Sequence, residues 1–417
     1  MIALSTLFLF VASSAAAAIE PPKLTFGGQV RARAETTNIE SYATPLKRRG
    51  YDLTTLRTRL GVAVETGHKV NGFIQLQDSR SWGSETTVAT NMNLVDLHQG
   101  YVDVLDLFSQ PLDLRVGRME MQYGDQRLIS PLDWSNVGRA WDGARLRWRG
   151  SNYSVDLFDA VVKEVNIAKR NGHFWGLYAS CKAVPKHEFD AYILGRDQRD
   201  GTVPNERATS NGNLSDRTVG ARIKGTPGRF DYTGEADWQF GRKAGQQVRA
   251  WALAATGGYT LDLAYKPRLG AEYTFASGDS NSADGKVQTF DPLYAFIHAY
   301  QGYQDIFAWK NGHDFKGSVS VDPKPGWRAQ ADFHHFRLHR AFDAWYDATG
   351  AAIIARSATG APGKDIGNEL DLHVRGKFRE VITLWFGWSR FFAGSYVKAT
   401  TTRGDRDWGF FQAAFNF

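Results

Sequence analysis

The sequence lacks long apolar runs and has almost no cysteine. Its 417 residues include a single cysteine, Cys181, so no internal disulfide can form. No window of about 18 apolar residues follows the first 18 positions, which excludes a helical membrane protein. Apolar residues nowhere recur every 3.6 positions, which disfavours a helical soluble protein. The net charge of +6 comes without clustered lysines, so nucleic acid is not an expected partner.

The N-terminal end has the features of an export signal. Residues 4–12 are apolar but too few to span a bilayer as a helix, and residues 13–18 are all serine or alanine. Residues 1–18 are therefore predicted to be a signal peptide, and residues 19–417 the mature chain.

In place of helical periodicity, the chain shows two-residue alternation from one end to the other. At the C-terminal end, one face carries Phe411, Ala413, Phe415 and Phe417, and the other carries Gln412, Ala414 and Asn416. Such alternation fits either a soluble sandwich or a barrel with lipid outside and water inside. A terminal aromatic that closes an apolar face is typical of the last strand of an outer-membrane barrel.

The spacing of the strands favours the barrel. Candidate strands lie near 24–36, 52–65, 69–80, 94–104, 112–121, 142–149, 153–161, 173–181, 187–196, 216–224, 230–240, 247–257, 266–276, 307–321, 327–337, 367–375, 380–392 and 408–417. Short and long connections alternate, as periplasmic turns and extracellular loops do in such barrels; the long ones are 37–51, 122–141, 197–215, 277–306 and 338–366. We expect an all-β, transmembrane antiparallel β-barrel of about 18 strands, with 16 as the alternative, that encloses an aqueous channel.

Aromatic residues near strand ends are predicted to lie at the two membrane interfaces. They are Trp238, Phe240, Trp251, Tyr259, Trp327, Trp385, Trp388, Phe391 and Phe392.

The alternation places many guanidinium groups on the inward face. The predicted substrate-binding residues are Arg31, Arg33, Arg57, Arg59, Arg145, Arg147, Arg149, Arg222, Arg268, Arg328 and Arg375, with Glu369 and Asp371 among the interleaved carboxylates. These charges could pair into a network that only stiffens the wall. A surplus of arginine would instead raise the local concentration of anions and bind carboxylates through the planar guanidinium fork. The inward arginines therefore predict anion selectivity.

Other chemistry has little support. His334 and His335 are adjacent on a strand and point to opposite faces, so they cannot share a metal ion. Asp279, Asn281 and Asp284 offer oxygen ligands without the spacing of a calcium loop, which favours a surface loop. No Gly-x-Ser-x-Gly nucleophile motif is present. No catalytic residue, metal ion or cofactor is predicted.

Several fragments, spread over nearly the whole mature chain, share one order and spacing. They are residues 97–103, 114–118, 123–128, 133–134, 141–146, 276–290 and 369–372. In these fragments the chain resembles the alginate export family of outer-membrane porins. The resemblance implies an 18-stranded monomeric barrel that passes an anionic polyuronate through an arginine-lined constriction. Met119 stands where the family more often has glutamine, and the connection 376–379 is short where the alginate exporter carries a long periplasmic turn.

The sequence thus predicts a bacterial outer-membrane channel that passes anionic polysaccharide or sugar acids by passive diffusion. Its expected partners are outer-membrane lipid, the anionic substrate and periplasmic export proteins. The alternative is a general or uptake porin for small anionic solutes. An outer-membrane enzyme, or a receptor that acts through its long loops, is less favoured.

Overall fold

The computed structural model describes residues 21–39, 41–42, 51–82, 95–162, 172–350, 353–357 and 359–417. The predicted signal peptide at 1–18 lies outside these residues and stays a prediction. Most of the predicted loop 37–51 lies outside them as well.

The described residues form 21 strands, one short α-helix and two 3-10 helices, the latter at Leu107–Ser109 and Ile297–Ala299. The first strands are β1 (Lys23–Thr37), β2 (Tyr51–Glu65), β3 (Val70–Trp82), β4 (Asp96–Val104), β5 (Leu112–Met119), β6 (Trp141–Arg149), β7 (Tyr153–Val162), β8 (Gly172–Cys181), β9 (His187–Pro204), β10 (Asn211–Gly225), β11 (Phe230–Lys243) and β12 (Gln246–Thr260). They are followed by β13 (Arg268–Ala276), β14 (Lys286–Val287), β15 (Gly312–Lys324), β16 (Trp327–Leu338), β17 (Ala344–Tyr346), β18 (Ile353–Arg356), β19 (Asp365–Phe378), β20 (Ile382–Ala393), α1 (Ser395–Thr400) and β21 (Arg406–Asn416).

Eighteen of the described strands close into one antiparallel barrel. Each barrel strand pairs with the next along the chain, and β1 pairs with β21 from Gln29 opposite Asn416 to Thr37 opposite Trp408. The remaining three are short: β14 pairs in parallel with β12, and β17 with β18 forms a separate hairpin. Closure leaves no free sheet edge in the membrane. The prediction of an 18-stranded barrel is confirmed.

The outward and inward faces predicted for β1 and β2 agree with the structure. Phe26 and Leu60 point outward and are 72% and 54% exposed, whereas Arg31 and Arg57 point inward and are 3% and 0% exposed. Arg31 lies directly opposite Arg57 across the two strands. Among the described residues, no helix is long and apolar enough to cross a membrane.

Some predicted boundaries and orientations were wrong. Strands β9 and β10 extend well into the predicted loop 197–215 and make one long hairpin. Strand β15 begins at Gly312 rather than at 307, and Phe307 instead stacks on Phe336 of β16, with ring centroids 4.8 Å apart. Trp385 and Phe391 do not lie at the membrane surface. They alternate with the exposed, outward-facing Phe386 and Phe392, so they face the lumen.

The long connections pack together at one end of the barrel. They share a hydrophobic cluster with inward residues of the wall, which includes Phe336, Trp345, Ile366, Phe391 and Tyr396. The Trp345 indole N–H donates to the carbonyl of Ile306 at 2.7 Å. This end is extracellular by the usual arrangement of such barrels, and packed side chains occupy part of its lumen.

Candidate channel constriction

Two connections fold into the lumen, and we call them the constriction segments. The first comprises residues 120–140, between β5 and β6, and the second comprises residues 288–311, between β14 and β15. Their backbones pair with each other. The Ser130 N–H donates to the Tyr294 carbonyl at 3.0 Å, and the Tyr294 N–H donates to the Leu128 carbonyl at 2.9 Å.

Arginines of β1 and β2 hold the first constriction segment. The carboxylate of Asp133 accepts from Arg57 at 2.8 Å and from Arg59 at 3.2 Å. Arg31 donates to the backbone carbonyls of Asp133 at 2.5 Å and Ser135 at 2.8 Å. Loss of hydration would raise the pKa of the Asp133 carboxyl, but Arg57, Arg59 and Arg31 outweigh it and keep that pKa below its ordinary value.

A fourth arginine binds the next residue of the same segment. Arg33 donates to the carbonyl of Trp134 at 2.7 Å and lies over its ring, 3.9 Å from the centroid. Arg33 also pairs with Glu35 at 2.7 Å. The Trp134 ring in turn stacks on His298 of the second segment, with centroids 3.9 Å apart. The barrel wall and both segments therefore meet at Trp134.

Carboxylates of β19 hold the second constriction segment. Glu369 accepts from the backbone N–H of Gln304 at 3.0 Å, and Asp371 accepts from that of Tyr303 at 3.3 Å. Both carboxylates are almost wholly buried, at 0% and 1% exposure. The arginines of β1 thus bind carbonyls of the first segment, and the carboxylates of β19 bind N–H groups of the second. Arg406 of β21 in addition donates to the carbonyl of Gln304 at 3.1 Å. Opposite wall charges fit the two kinds of backbone group.

The other predicted site residues lie elsewhere on the barrel, and most are neutralised by a neighbour. Arg145 and Arg147 pair with Asp156, Arg149 with Asp106 and Asp113, Arg222 with Asp125, Glu188 and Asp190, Arg268 with Asp231, and Arg328 with Asp322. Arg222 reaches the first constriction segment through Asp125, at 3.4 Å, whereas the carboxylates that pair with the other arginines lie outside both segments. Arg375 differs from them, since no carboxylate among the described residues lies within ion-pair distance of it.

Sequence reasoning missed the charged residues of the first constriction segment itself. Arg127 is buried, donates to Glu272 at 2.9 Å and lies 3.8 Å from the centroid of the Tyr300 ring. Desolvation acts to lower the pKa of Arg127, but Glu272 and other acidic groups prevail and raise it. A non-periodic loop gives no signal for such inward contacts. The one available signal was the family resemblance, which covered residues 123–128 and 133–134.

A cavity of about 1000 Å³ opens at the short-turn end of the barrel, and we call it the vestibule. Its lumen-side wall includes Tyr303, His373, Arg375 and Trp385. Among the described residues that line it are five cationic side chains and one carboxylate, namely Lys266, Lys324, Arg328, Arg375 and Lys377 against Asp322. Short turns face the periplasm in barrels of this kind, which predicts that the vestibule is the periplasmic mouth of the channel.

Comparison with known proteins agrees with an outer-membrane barrel. The sequence pattern of the alginate export family matches residues 22–410. The chain belongs to the alginate export family. This family member has no match among curated protein sequences. It resides in the bacterial outer membrane, as the family and the barrel fold both indicate.

Solved structures of outer-membrane porins have the same fold. Pseudomonas aeruginosa OccD3 (OpdP) is 11% identical with a TM-score of 0.64, and the match covers 94% of this chain and 91% of that one. P. aeruginosa OccK11 (OpdR) is 11% identical with a TM-score of 0.62, and the match covers 94% of this chain and 96% of that one. Acinetobacter baumannii OccAB4 is 8% identical with a TM-score of 0.60, and the match covers 96% of this chain and 100% of that one. At these identities the likeness shows the fold alone.

Proposed function

We propose that this alginate export family member is a passive channel for anionic polysaccharide or sugar acids, and that the substrate passes the arginines of β1 and β2. One observation carries the proposal. The Asp133 carboxylate lies between Arg57 and Arg59 and accepts a hydrogen bond from each. A carboxylate from a sugar acid would find the same donors if the first constriction segment moved away.

Burial strengthens this argument. Arg57 is 0% exposed and Arg31 is 3% exposed, so water cannot fully hydrate either guanidinium. A buried cation without a partner is costly. When the first constriction segment moves, Arg31 and Arg57 lose the carbonyls and the Asp133 carboxylate that accept from them, and an anion in the lumen would restore those contacts. Several guanidinium groups in a row would let a polyanion pass from one moderate site to the next, which transport requires.

A general or uptake porin for small anionic solutes is the second candidate. With both constriction segments in place, the vestibule has a volume of about 1000 Å³. That volume suits a few sugar residues better than a moving polymer. Export of a polymer would therefore require the constriction segments to move, whereas small solutes could pass with both segments in place.

Reversal potentials in planar bilayers test the proposal. Under a potassium chloride gradient, we expect anion selectivity in the wild-type protein. Arg57→Gln together with Arg59→Gln should reduce that selectivity. Arg118→Gln is the matched control, because Arg118 lies on the outward face of β5 and pairs with Asp142 at 2.6 Å. Cation selectivity of the wild-type channel would contradict the proposal.

A further inference from the structure

We propose that the vestibule contains a second, separate binding site, where Arg375 and Trp385 receive one uronate residue of the saccharide before the chain reaches the constriction. This inference rests on the function proposed above and adds a loading site on the periplasmic side. It concerns residues of β19 and β20, on a part of the wall remote in sequence from the arginines of β1 and β2.

The first argument concerns the exposure and the contacts of the Arg375 guanidinium. It is exposed and lies over the Trp385 ring, 4.9 Å from the centroid. A guanidinium that lies over an aromatic ring can keep its N–H donors available for a carboxylate. Within the described ranges no acidic side chain takes those donors. Arg328, in the same cavity, is instead bound to Asp322 at 2.8 Å.

The second argument is that Trp385 is held in place. Its indole N–H donates to Nδ1 of His373 at 3.3 Å, and Nε2 of His373 lies 3.3 Å from the Tyr303 hydroxyl. The ring of Phe410 packs edge-on against Trp385, with centroids 5.4 Å apart. A fixed aromatic ring on the wall of a wet cavity is suited to the apolar C–H face of a sugar ring. Such pre-organisation lowers the entropic cost of binding.

The third argument is electrostatic. Five cations and one carboxylate line the vestibule; Arg328 pairs with that carboxylate and Lys377 pairs with Glu380. The charges of Lys266, Lys324 and Arg375 still give the vestibule a positive potential. A polyanion in the periplasm would be attracted within roughly 8 Å, the screening length at physiological salt. Arg375 and Trp385 would then distinguish a carboxylated sugar from a simple anion, since only the former can fill both contacts.

The site also adjoins the constriction. The Trp134 ring, which belongs to the first constriction segment, packs edge-on against Trp385 with centroids 5.2 Å apart. A sugar residue that leaves Trp385 would therefore meet the segment that carries Asp133. This contact provides a route from the loading site to the arginines of β1 and β2.

Side-specific block of the current in planar bilayers tests the inference. The full-length protein is inserted in one orientation, and trigalacturonate is added to either side, with maltotriose as the neutral comparison. We expect trigalacturonate to block from the periplasmic side. Arg375→Gln and Trp385→Leu should each weaken that block by about tenfold or more, because a charge-assisted contact or a packed ring is lost.

Two matched controls separate the site from general effects. Arg379→Gln removes one positive charge from the same rim, and Trp388→Leu removes an outward-facing indole from the same strand. Both should change the block by less than about twofold, because neither side chain is among the residues that line the vestibule. Arg375→Lys keeps the charge without the planar fork, so it should keep anion selectivity and lose most of the block. Heat-modifiable mobility on gels verifies that each variant is folded.

The outcomes are distinguishable. Equal weakening by Arg375→Gln and Arg379→Gln would mean a nonspecific charge effect and would overturn the inference. An unchanged block in Arg375→Gln and Trp385→Leu would overturn it as well. In either case, anion selectivity of the wild-type protein in the same bilayers would still support the proposed function. Cation selectivity would contradict both the proposed function and the inference.

Discussion

Trp134 and His298 stack face to face, with ring centroids 3.9 Å apart and an interplanar angle of 13°, although they belong to different constriction segments. The backbone bridge between Ile129 and Tyr294 joins the same two segments. Stacking and backbone pairing together make it costly to move one segment alone. We therefore expect the two constriction segments to move as one unit.

The Asp133 carboxylate should act as a latch for this unit. In Asp133→Asn, Arg57 and Arg59 lose their charged acceptor, so the closed arrangement should weaken by about 1.5 kcal/mol, the lower end for hydrogen bonds to charged groups. That loss is about tenfold in the ratio of open to closed channels. Single-channel recording measures it as larger or more frequent openings. Asp142→Asn, on the outward face, is the control, and an unchanged record for Asp133→Asn would rule out the latch.

The packing of the extracellular loops should weaken in alkaline solution because of Glu206. Burial, together with the negative charges of Asp279 and Asp343, raises the pKa of Glu206 to about 8. A carboxyl group whose pKa is raised in the folded state is neutral there, and stability falls as pH rises from about 4 through that value. The protection factors of residues 205–210, which are exchange rates corrected for the intrinsic base catalysis, should therefore be lower at pH 9 than at pH 6. Glu206→Gln should remove the difference, and a persistent difference would assign it to another group.

Charge on the lumen face should control flux, and charge on the lipid face should control folding. Arg57→Glu with Arg59→Glu places acidic groups beside Asp133, so the barrel should fold, lose anion preference and release the first constriction segment. Leu60→Arg exposes a charge to lipid and should cost roughly 2–4 kcal/mol at the midplane. Heat-modifiable mobility on gels compares the two. Similar loss of folded barrel in both would contradict the assigned faces.

The terminal strand should be required for assembly. The Gly28 N–H donates to the Phe417 carbonyl at 2.8 Å, and the Phe417 N–H donates to the Gly28 carbonyl at 3.1 Å. Deletion of residues 415–417 leaves backbone groups of β1 unpaired in hydrocarbon, at several kcal/mol each. We expect the truncated chain to be degraded in the periplasm, as membrane fractionation would show. Phe417→Leu keeps the backbone pairing and should be tolerated better. Normal surface display of the truncated chain would argue against closure through β21.

The alternation of side chains along the sequence determined the strands and their faces. Arg57 and Leu60 could be assigned to the lumen and to the lipid because the side-chain period of a strand is two, whatever its neighbours are. The number of such strands, with their short and long connections, gave the barrel and its compartment. The positions of most strands followed from the same local rule.

Only the tertiary structure decided which of those arginines have partners. Arg57 binds Asp133, 76 positions along the chain, because residues 120–140 enter the lumen. The sequence of that segment has no periodicity from which its path could be predicted. Arg328 and Arg375 look alike in sequence, yet one is paired with Asp322 and the other lies on Trp385. A strand's period fixes the direction of a side chain, whereas its partner depends on which distant backbone the closed barrel brings beside it.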